Sequence, residues 1–224
     1  EAAIEEADWL IFAMLNVDEE NERSSDVVKR FLRQRGEQIR DKRVIVLALQ
    51  APYFLDATEI GQLSTYLATY SHSELFVENA VRVLFRSSVP GGAPPVSVAG
   101  TRFSDLNERL QPDARVQLPL RVFVNGETAV DTVSLDAGNE TVFFSDRMNI
   151  QVGPILDYNG NNVPDGAEVE FQISYENSDG LMSVEPVVTR DGVATREILV
   201  AEGGTILISA RSGEATTGPP VAVT

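Results

Sequence analysis

Three apolar runs in the first hundred residues predict the strands of a sheet. Residues 9–15 (WLIFAML) and 43–49 (RVIVLAL) are continuously apolar, which is typical of parallel strands that are buried on both faces. Residues 65–70 (TYLATY) form a shorter third run and predict a third strand. Helical patterns lie between these runs. This alternation predicts an α/β fold with a mostly parallel sheet and helices on its faces.

Two helices are predicted from apolar residues at helical spacing. The apolar stripe of the first consists of Val27, Val28, Phe31 and Leu32. The stripe of the second consists of Val77, Ala80, Val81 and Leu84, at i, i+3, i+4 and i+7. We expect the second stripe to pack on the sheet. Ser71 and Glu74 have the S-x-x-E spacing of a capping box, and residues 95–98 (PVSV) predict a short edge strand. Residues 1–100 are therefore assigned to one domain, a partial three-layer α/β sandwich.

From residue 117 onward the pattern changes to short alternating runs that are separated by turn signals. Asn125-Gly126 and Asp191-Gly192 lie between such runs, and these dipeptides are strong hairpin signals. Alternation places Val169, Phe171 and Ile173 on one face of a strand, and Ile206, Ile208 and Ala210 on one face of another. The pattern predicts an immunoglobulin-like β-sandwich over residues 117–224, with residues 101–116 as a linker.

Composition excludes several classes of function. The chain has 224 residues, a net charge of −16 and a pI near 4.4, so it would not neutralise nucleic-acid phosphates or bind an anionic membrane surface. The absence of cysteine excludes a disulfide framework, a thiolate metal site and a cysteine nucleophile. The apolar runs are too short to cross a bilayer, so we predict no membrane insertion. The chain opens without an initiator Met inside a predicted helix, and we interpret it as a piece of a longer, exported bacterial protein with an extracellular or cell-surface location.

His72 is the only histidine and the first candidate for chemistry. It follows the predicted strand at residues 65–70, and the carboxyl edge of an open α/β sheet is where ligands bind. The alternative is a passive residue in the first turn of a helix, whose dipole disfavours an imidazolium. The sequence contains no dinucleotide-binding, Walker or nucleophile-elbow motif, so we predict no catalytic residue and no cofactor.

A second candidate lies in DYNGNNVPDG. Asp157, Asn159, Asn161 and Asp165 begin like a calcium-binding loop, and Glu168 occupies the twelfth position. Asn162 stands where such a loop requires glycine. The alternative is a structural turn that uses Asn and Asp for their backbone geometry.

The first half resembles the second, α/β-sandwich domain of glycoside hydrolase family 3, in its two-domain β-N-acetylhexosaminidase branch. The segments that carry this resemblance are Ala51-Pro52-Tyr53 and residues 66–70, 80–85 and 94–100. Phe54 and Leu55 intervene before Asp56, and Ala99 replaces a usual proline. The resemblance implies that the aspartate nucleophile and the His/Asp acid-base pair lie on a preceding TIM barrel of the same polypeptide.

By this resemblance the chain is a non-catalytic C-terminal fragment of a retaining glycoside hydrolase of carbohydrate metabolism. Its partner would be the N-terminal TIM barrel, which binds the carbohydrate substrate. Tyr53, Tyr70 and His72 are the residues expected on the substrate side. The parent is expected to be an enzyme, whereas this chain alone is predicted to be inactive. The alternative enzymatic interpretation is a stand-alone α/β hydrolase. The sequence shows no nucleophile-base arrangement that would support it.

Residues 117–215, which include DYNGNNVPDGAEVEFQISY, resemble a bacterial immunoglobulin-like domain of the invasin/intimin group. This resemblance implies a surface-exposed spacer. The alternative is a cell-surface adhesion or carbohydrate-binding module, which typically presents exposed aromatic rings. This half has no tryptophan, and its tyrosines are Tyr158 and Tyr175. Four phenylalanines are expected in its core: Phe123, Phe143, Phe144 and Phe171.

Overall fold

The computed structural model describes the chain except for residues 1, 19, 135, 138–141, 177–180, 183, 184 and 203. The chain divides into two compact units. Unit 1 consists of residues 1–90 and 97–104, and unit 2 consists of residues 91–96 and 105–224. The sequence-predicted linker at 101–116 contributes residues to both units.

Unit 1 contains a three-stranded parallel sheet with the order β1-β2-β3. Its elements are α1 (Ala2–Glu6), β1 (Trp9–Met14), α2 (Val27–Arg35), β2 (Arg43–Ala48), α3 (Ala57–Gly61), β3 (Thr65–Ala68) and α4 (Glu74–Leu84). The prediction of parallel strands that alternate with helices is confirmed. Residues 95–98, which were expected to form an edge strand, form none.

The core of unit 1 lies on one face of this sheet. Val44 and Val46 of β2 are fully buried there, together with Leu32 of α2 and Leu63. Burial on both faces was predicted for the first two strands and holds for β2, whose residues after Arg43 are all buried. It is wrong for β1, where Trp9 and Ile11 are exposed, because β1 is an edge strand.

Helix α4 departs from its sequence pattern in two ways. Of its predicted packing stripe only Ala80 is buried, and Val81 is exposed. The predicted capping box at its start is wrong, because the helix begins after Ser73 and has no side-chain cap. Ser71 instead accepts a hydrogen bond from the Ser73 backbone N–H through its Oγ (3.2 Å).

In the part of the chain that the structure describes, unit 2 consists of α5 (Leu106–Arg109) and two antiparallel sheets. The five-stranded sheet has the order β11-β7-β4-β5-β6, in which β4 is Leu120–Val124, β5 Glu127–Asp131, β6 Asp136–Ala137, β7 Arg147–Val152 and β11 Ala194–Leu199. The six-stranded sheet has the order β10-β8-β12-β13, with β14 also on β12 and β9 also on β8. Its strands are β8 (Glu168–Tyr175), β9 (Leu181–Met182), β10 (Val187–Val188), β12 (Ile206–Ser212), β13 (Ala215–Thr216) and β14 (Val221–Val223).

Alternating side chains from both sheets meet in one core. The residues expected to share faces, Val169, Phe171, Ile173, Ile206, Ile208 and Ala210, are all buried in it. The predicted Asn125-Gly126 hairpin joins β4 to β5, with φ of 49° and 92°. The Asp191-Gly192 turn joins β10 to β11, with φ of 50° and 76°. These left-handed conformations are the reason that Asn, Asp and Gly occupy the turns.

The core prediction is wrong for two phenylalanines. Phe143 and Phe144 are exposed, because the chain turns away from the core after buried Val142. Phe171 is buried as expected, and Phe123 is partly buried.

Among the described residues, no helix has both the length and the apolar character needed to cross a membrane.

Candidate functional site

The carboxyl edge of the parallel sheet brings together aromatic and polar side chains from unit 1. Gln50 and Tyr53 follow β2, and Tyr70 and His72 follow β3. Since β2 and β3 are adjacent and parallel, their carboxyl ends open at the same edge of the sheet. We refer to Gln50, Tyr53, Tyr70 and His72 as the edge cluster.

His72, the single histidine of the chain, is hydrogen-bonded to the Gln50 side chain within the edge cluster. The Gln50 Nε2 and His72 Nδ1 atoms are 3.2 Å apart, and His72 is exposed. The donor and the acceptor of this hydrogen bond depend on the tautomer of the imidazole. The Gln50 amide, rather than a carboxylate, therefore orients the His72 imidazole ring.

Tyr53 and Tyr70 present their rings to solvent side by side. Their side chains are 61% and 51% exposed. Partial burial and the polar interaction with the Tyr53 side chain raise the pKa of Tyr70. The Tyr70 backbone has a φ of 58°, a left-handed conformation that a bulky residue adopts only when its surroundings hold it. Thr69 contributes to this turn by donating a hydrogen bond from Oγ1 to the Ser71 carbonyl oxygen (2.7 Å).

Tyr66 supports the loop that carries Tyr53. Its hydroxyl donates a hydrogen bond to the Pro52 carbonyl oxygen (2.8 Å). Burial, together with the nearby Tyr70 and Glu59 side chains, raises the pKa of Tyr66 to about 12. The hydroxyl therefore remains a donor throughout the physiological range of pH.

The edge cluster presents groups that can contact a ligand. It offers two aromatic faces, an amide and an imidazole. Tyr53, Tyr70 and His72 were expected on the substrate side, and the structure places them at one edge of the sheet. Sequence reasoning missed Gln50 and Tyr66, although Gln50 could have been found from its position just after a buried strand.

The calcium candidate residues form a loop whose carboxylates already accept hydrogen bonds. Asp157 is buried, and its Oδ1 accepts bonds from the backbone N–H groups of Asn159 (2.8 Å) and Asn161 (3.0 Å). Its Oδ2 accepts a bond from the Asn159 side chain (3.1 Å). Asp165 Oδ1 accepts a hydrogen bond from the backbone N–H of Asp191 (2.7 Å). This donor is not one of the groups that bond to Asp157. This geometry favours the structural-turn alternative. Among residues that the structure describes, no group of three or more acidic or histidine residues is arranged to hold a metal ion.

Replacement of Asp157 by alanine should lower the free energy of unfolding of unit 2 by about 1–2 kcal/mol, because the backbone N–H groups of Asn159 and Asn161 lose the buried carboxylate that accepts their hydrogen bonds. Asn161→Ala is the matched control and should cost less than about 0.5 kcal/mol, since its side chain is exposed. Thermal unfolding with millimolar CaCl₂ or with EDTA measures both effects. A midpoint that calcium raises in the wild type, and not in Asp157→Ala, would contradict the structural role.

Comparison of the chain with protein-family models, with curated proteins and with solved structures finds no match. The residues of the chain and their geometry are therefore the basis for assigning a function.

Proposed function

We propose that this chain is the non-catalytic C-terminal part of a glycoside hydrolase of the β-N-acetylhexosaminidase type. The edge cluster is the observation that carries the proposal. Tyr53, Tyr70 and His72 lie at the carboxyl edge of a parallel sheet, where open α/β folds place ligands. Exposed aromatic rings beside hydrogen-bonding groups suit the apolar and hydroxylated faces of a sugar.

The uncovered side of unit 1 supports a partner domain. Parallel sheets are normally covered on both faces, yet Trp9 and Ile11 of β1 and Leu15, which directly follows it, are exposed. Helix α4 and the residues after it also expose large apolar side chains, namely Leu75, Phe76, Val81, Phe85 and Val89. In the proposal, unit 1 is part of a three-layer α/β sandwich. The catalytic TIM barrel of the same polypeptide covers these exposed apolar side chains.

In the proposal, the TIM barrel carries out the catalytic chemistry and this chain has a supporting role. The barrel supplies the carboxylate nucleophile and the acid-base pair of a retaining double displacement. This chain supplies a scaffold, and the edge cluster forms part of the wall beside the sugar. Unit 2 is an immunoglobulin-like spacer in this proposal, supported by its two antiparallel sheets around one core. The parent protein is exported, and its substrate is a carbohydrate.

The chain alone should not hydrolyse an aryl N-acetyl-β-glucosaminide. Release of the chromogenic phenol is expected at the rate of the buffer control, because no carboxylate nucleophile takes part in the edge cluster. The gene should encode a TIM barrel with an aspartate nucleophile before Glu1. Turnover by this chain would contradict its non-catalytic role, and a gene without the barrel would refute the hydrolase assignment.

A further inference from the structure

The chain contains two Asn-Gly pairs, Asn125-Gly126 and Asn159-Gly160, and both lie in unit 2. In such a pair the backbone nitrogen of the glycine can attack the carbonyl carbon of the preceding side-chain amide, because the covalent chain holds the two atoms close enough to close a ring. Glycine has no Cβ to obstruct this approach. An Asn-Gly pair is therefore a place where an asparagine can lose ammonia without an enzyme.

The structure distinguishes the two pairs at the attacking nitrogen. The Gly160 N–H donates a hydrogen bond to the Asp157 carbonyl oxygen (2.9 Å). The Gly126 N–H donates to no acceptor among the residues that the structure describes, and both Asn125 and Gly126 are exposed to water. The Gly126 nitrogen can therefore lose its proton to solvent and attack directly, whereas the Gly160 nitrogen must first break a hydrogen bond.

The side-chain carbonyl of Asn125 already has a hydrogen-bond donor. Its Oδ1 atom accepts the backbone N–H of Arg147 in β7 (3.1 Å), and the Asn125 N–H donates to the Arg147 carbonyl oxygen (2.9 Å). Attack at Cγ places negative charge on Oδ1. A backbone N–H that points at this atom before the reaction stabilises that charge as it develops.

A neighbouring turn, residues 143–146, depends on the amide group that this reaction removes. Asn125 Nδ2 donates to Asp146 Oδ1 (2.8 Å), and Asp146 Oδ2 accepts the backbone N–H of Phe143 (2.7 Å). The Asn125 side chain and the Phe143 N–H hold the pKa of Asp146 below its usual range, so this carboxylate is charged at neutral pH. The turn carries two exposed rings, Phe143 and Phe144.

We propose that Asn125 is a site of spontaneous deamidation, and that its modification releases the turn at residues 143–146. The Gly126 nitrogen forms a bond to Asn125 Cγ, the Cγ–Nδ2 bond breaks, and ammonia leaves with the proton of the Gly126 N–H. Water then adds to either carbonyl carbon of the succinimide ring, the bond from that carbon to the ring nitrogen breaks, and the nitrogen takes up a proton. The products are aspartate and isoaspartate, so the overall change is from an amide and water to a carboxylate and an ammonium ion.

Both products remove the contact that holds Asp146. A carboxylate at position 125 faces the charged Asp146 carboxylate where the amide donated before, and like charges at this distance repel each other. Isoaspartate also lengthens the backbone between Val124 and Glu127, which pair across the two-residue turn. Deamidation therefore acts as a chemical switch within unit 2, and it does not depend on the function proposed above.

Incubation of the folded chain in mildly alkaline buffer tests the site, with mass spectrometry of tryptic peptides and fragmentation to locate each change. Asn125 should convert to the acid about fivefold faster than Asn159, because the Gly160 N–H must first give up its hydrogen bond. Asn125→Gly is the control, since glycine adopts the φ of 49° and has no amide to lose. Conversion of Asn125 at the same rate as Asn159, or more slowly, would overturn the assignment of the site.

Limited digestion with chymotrypsin tests the release of the turn. Cleavage after Phe143 and Phe144 should be about tenfold faster in Asn125→Asp than in the wild type, because cleavage follows the population of the opened turn. Asn125→Gly should fall between the two, since it removes the same donor without adding a charge. Cleavage after Phe85, an exposed residue of unit 1, is the internal reference and should not change. Equal cleavage of the turn in Asn125→Asp and in the wild type would overturn the switch.

Discussion

Replacing Glu59 by alanine is expected to lower the free energy of unfolding of unit 1 by about 2–3 kcal/mol. Glu59 is 1% exposed, and its carboxylate lies 2.8 Å from Arg33 Nε. It also accepts the Asp56 backbone N–H (2.8 Å), while Asp56 accepts the Glu59 N–H in return (2.9 Å). This reciprocal pair is the capping box of α3, so the substitution removes a helix cap and leaves the Arg33 cation without its closest buried partner.

Urea titration followed by circular dichroism at 222 nm measures this effect, because the helices of the chain belong mainly to unit 1. Glu78→Ala is the control, since Glu78 forms an exposed i,i+4 ion pair with Arg82 (2.6 Å). Loss of that pair should cost no more than about 0.5 kcal/mol. Glu59→Gln should fall between the two, because it keeps the shape of the side chain and loses its charge. Equal effects of Glu59→Ala and Glu78→Ala would refute the role of the buried network.

Replacing Gly153 by alanine is expected to destabilise unit 2 by about 3–5 kcal/mol, as backbone strain and steric overlap add together. Gly153 has a φ of 127°, and a Cβ there would lie 2.5 Å from the Gly192 carbonyl oxygen and 3.1 Å from the Val193 Cα. Both neighbours are backbone atoms, so neither can move without shifting the turn before β11.

Gly204→Ala separates the two contributions. Gly204 has nearly the same φ, 123°, but a Cβ there would have no atom within 4 Å. Strain alone should cost about 1–2 kcal/mol at this control position. Differential scanning calorimetry gives both values from the unfolding transition of unit 2. The steric explanation fails if the two variants lose the same stability.

The regular elements of this chain could be predicted because local rules determine them. Continuous apolar runs indicated β1 and β2, and Asn125-Gly126 indicated a hairpin because those residues tolerate a left-handed backbone. The capping box formed by Asp56 and Glu59 is also determined locally, but it was not predicted from the sequence. Its D-x-x-E spacing is readable in the sequence.

Features set by tertiary position could not be predicted in this way. Hydrophobicity indicates that Phe143 and Phe144 favour burial on average, but the direction of the turn after Val142 decides their exposure. The left-handed backbone of Tyr70 has no sequence signal, since a tyrosine rarely adopts it. The meeting of Gln50 with His72 depends on the adjacency of β2 and β3, which the order of strands along the chain does not determine.

The exposed side of β1 also gives the chain an internal optical reporter. Trp9 is the only tryptophan, and 57% of its side chain is exposed on the apolar surface of unit 1. Indole fluorescence shifts to shorter wavelength when water is removed from the ring. Any partner that covers this side of the sheet would therefore change the emission of a single, identified residue, without an added label.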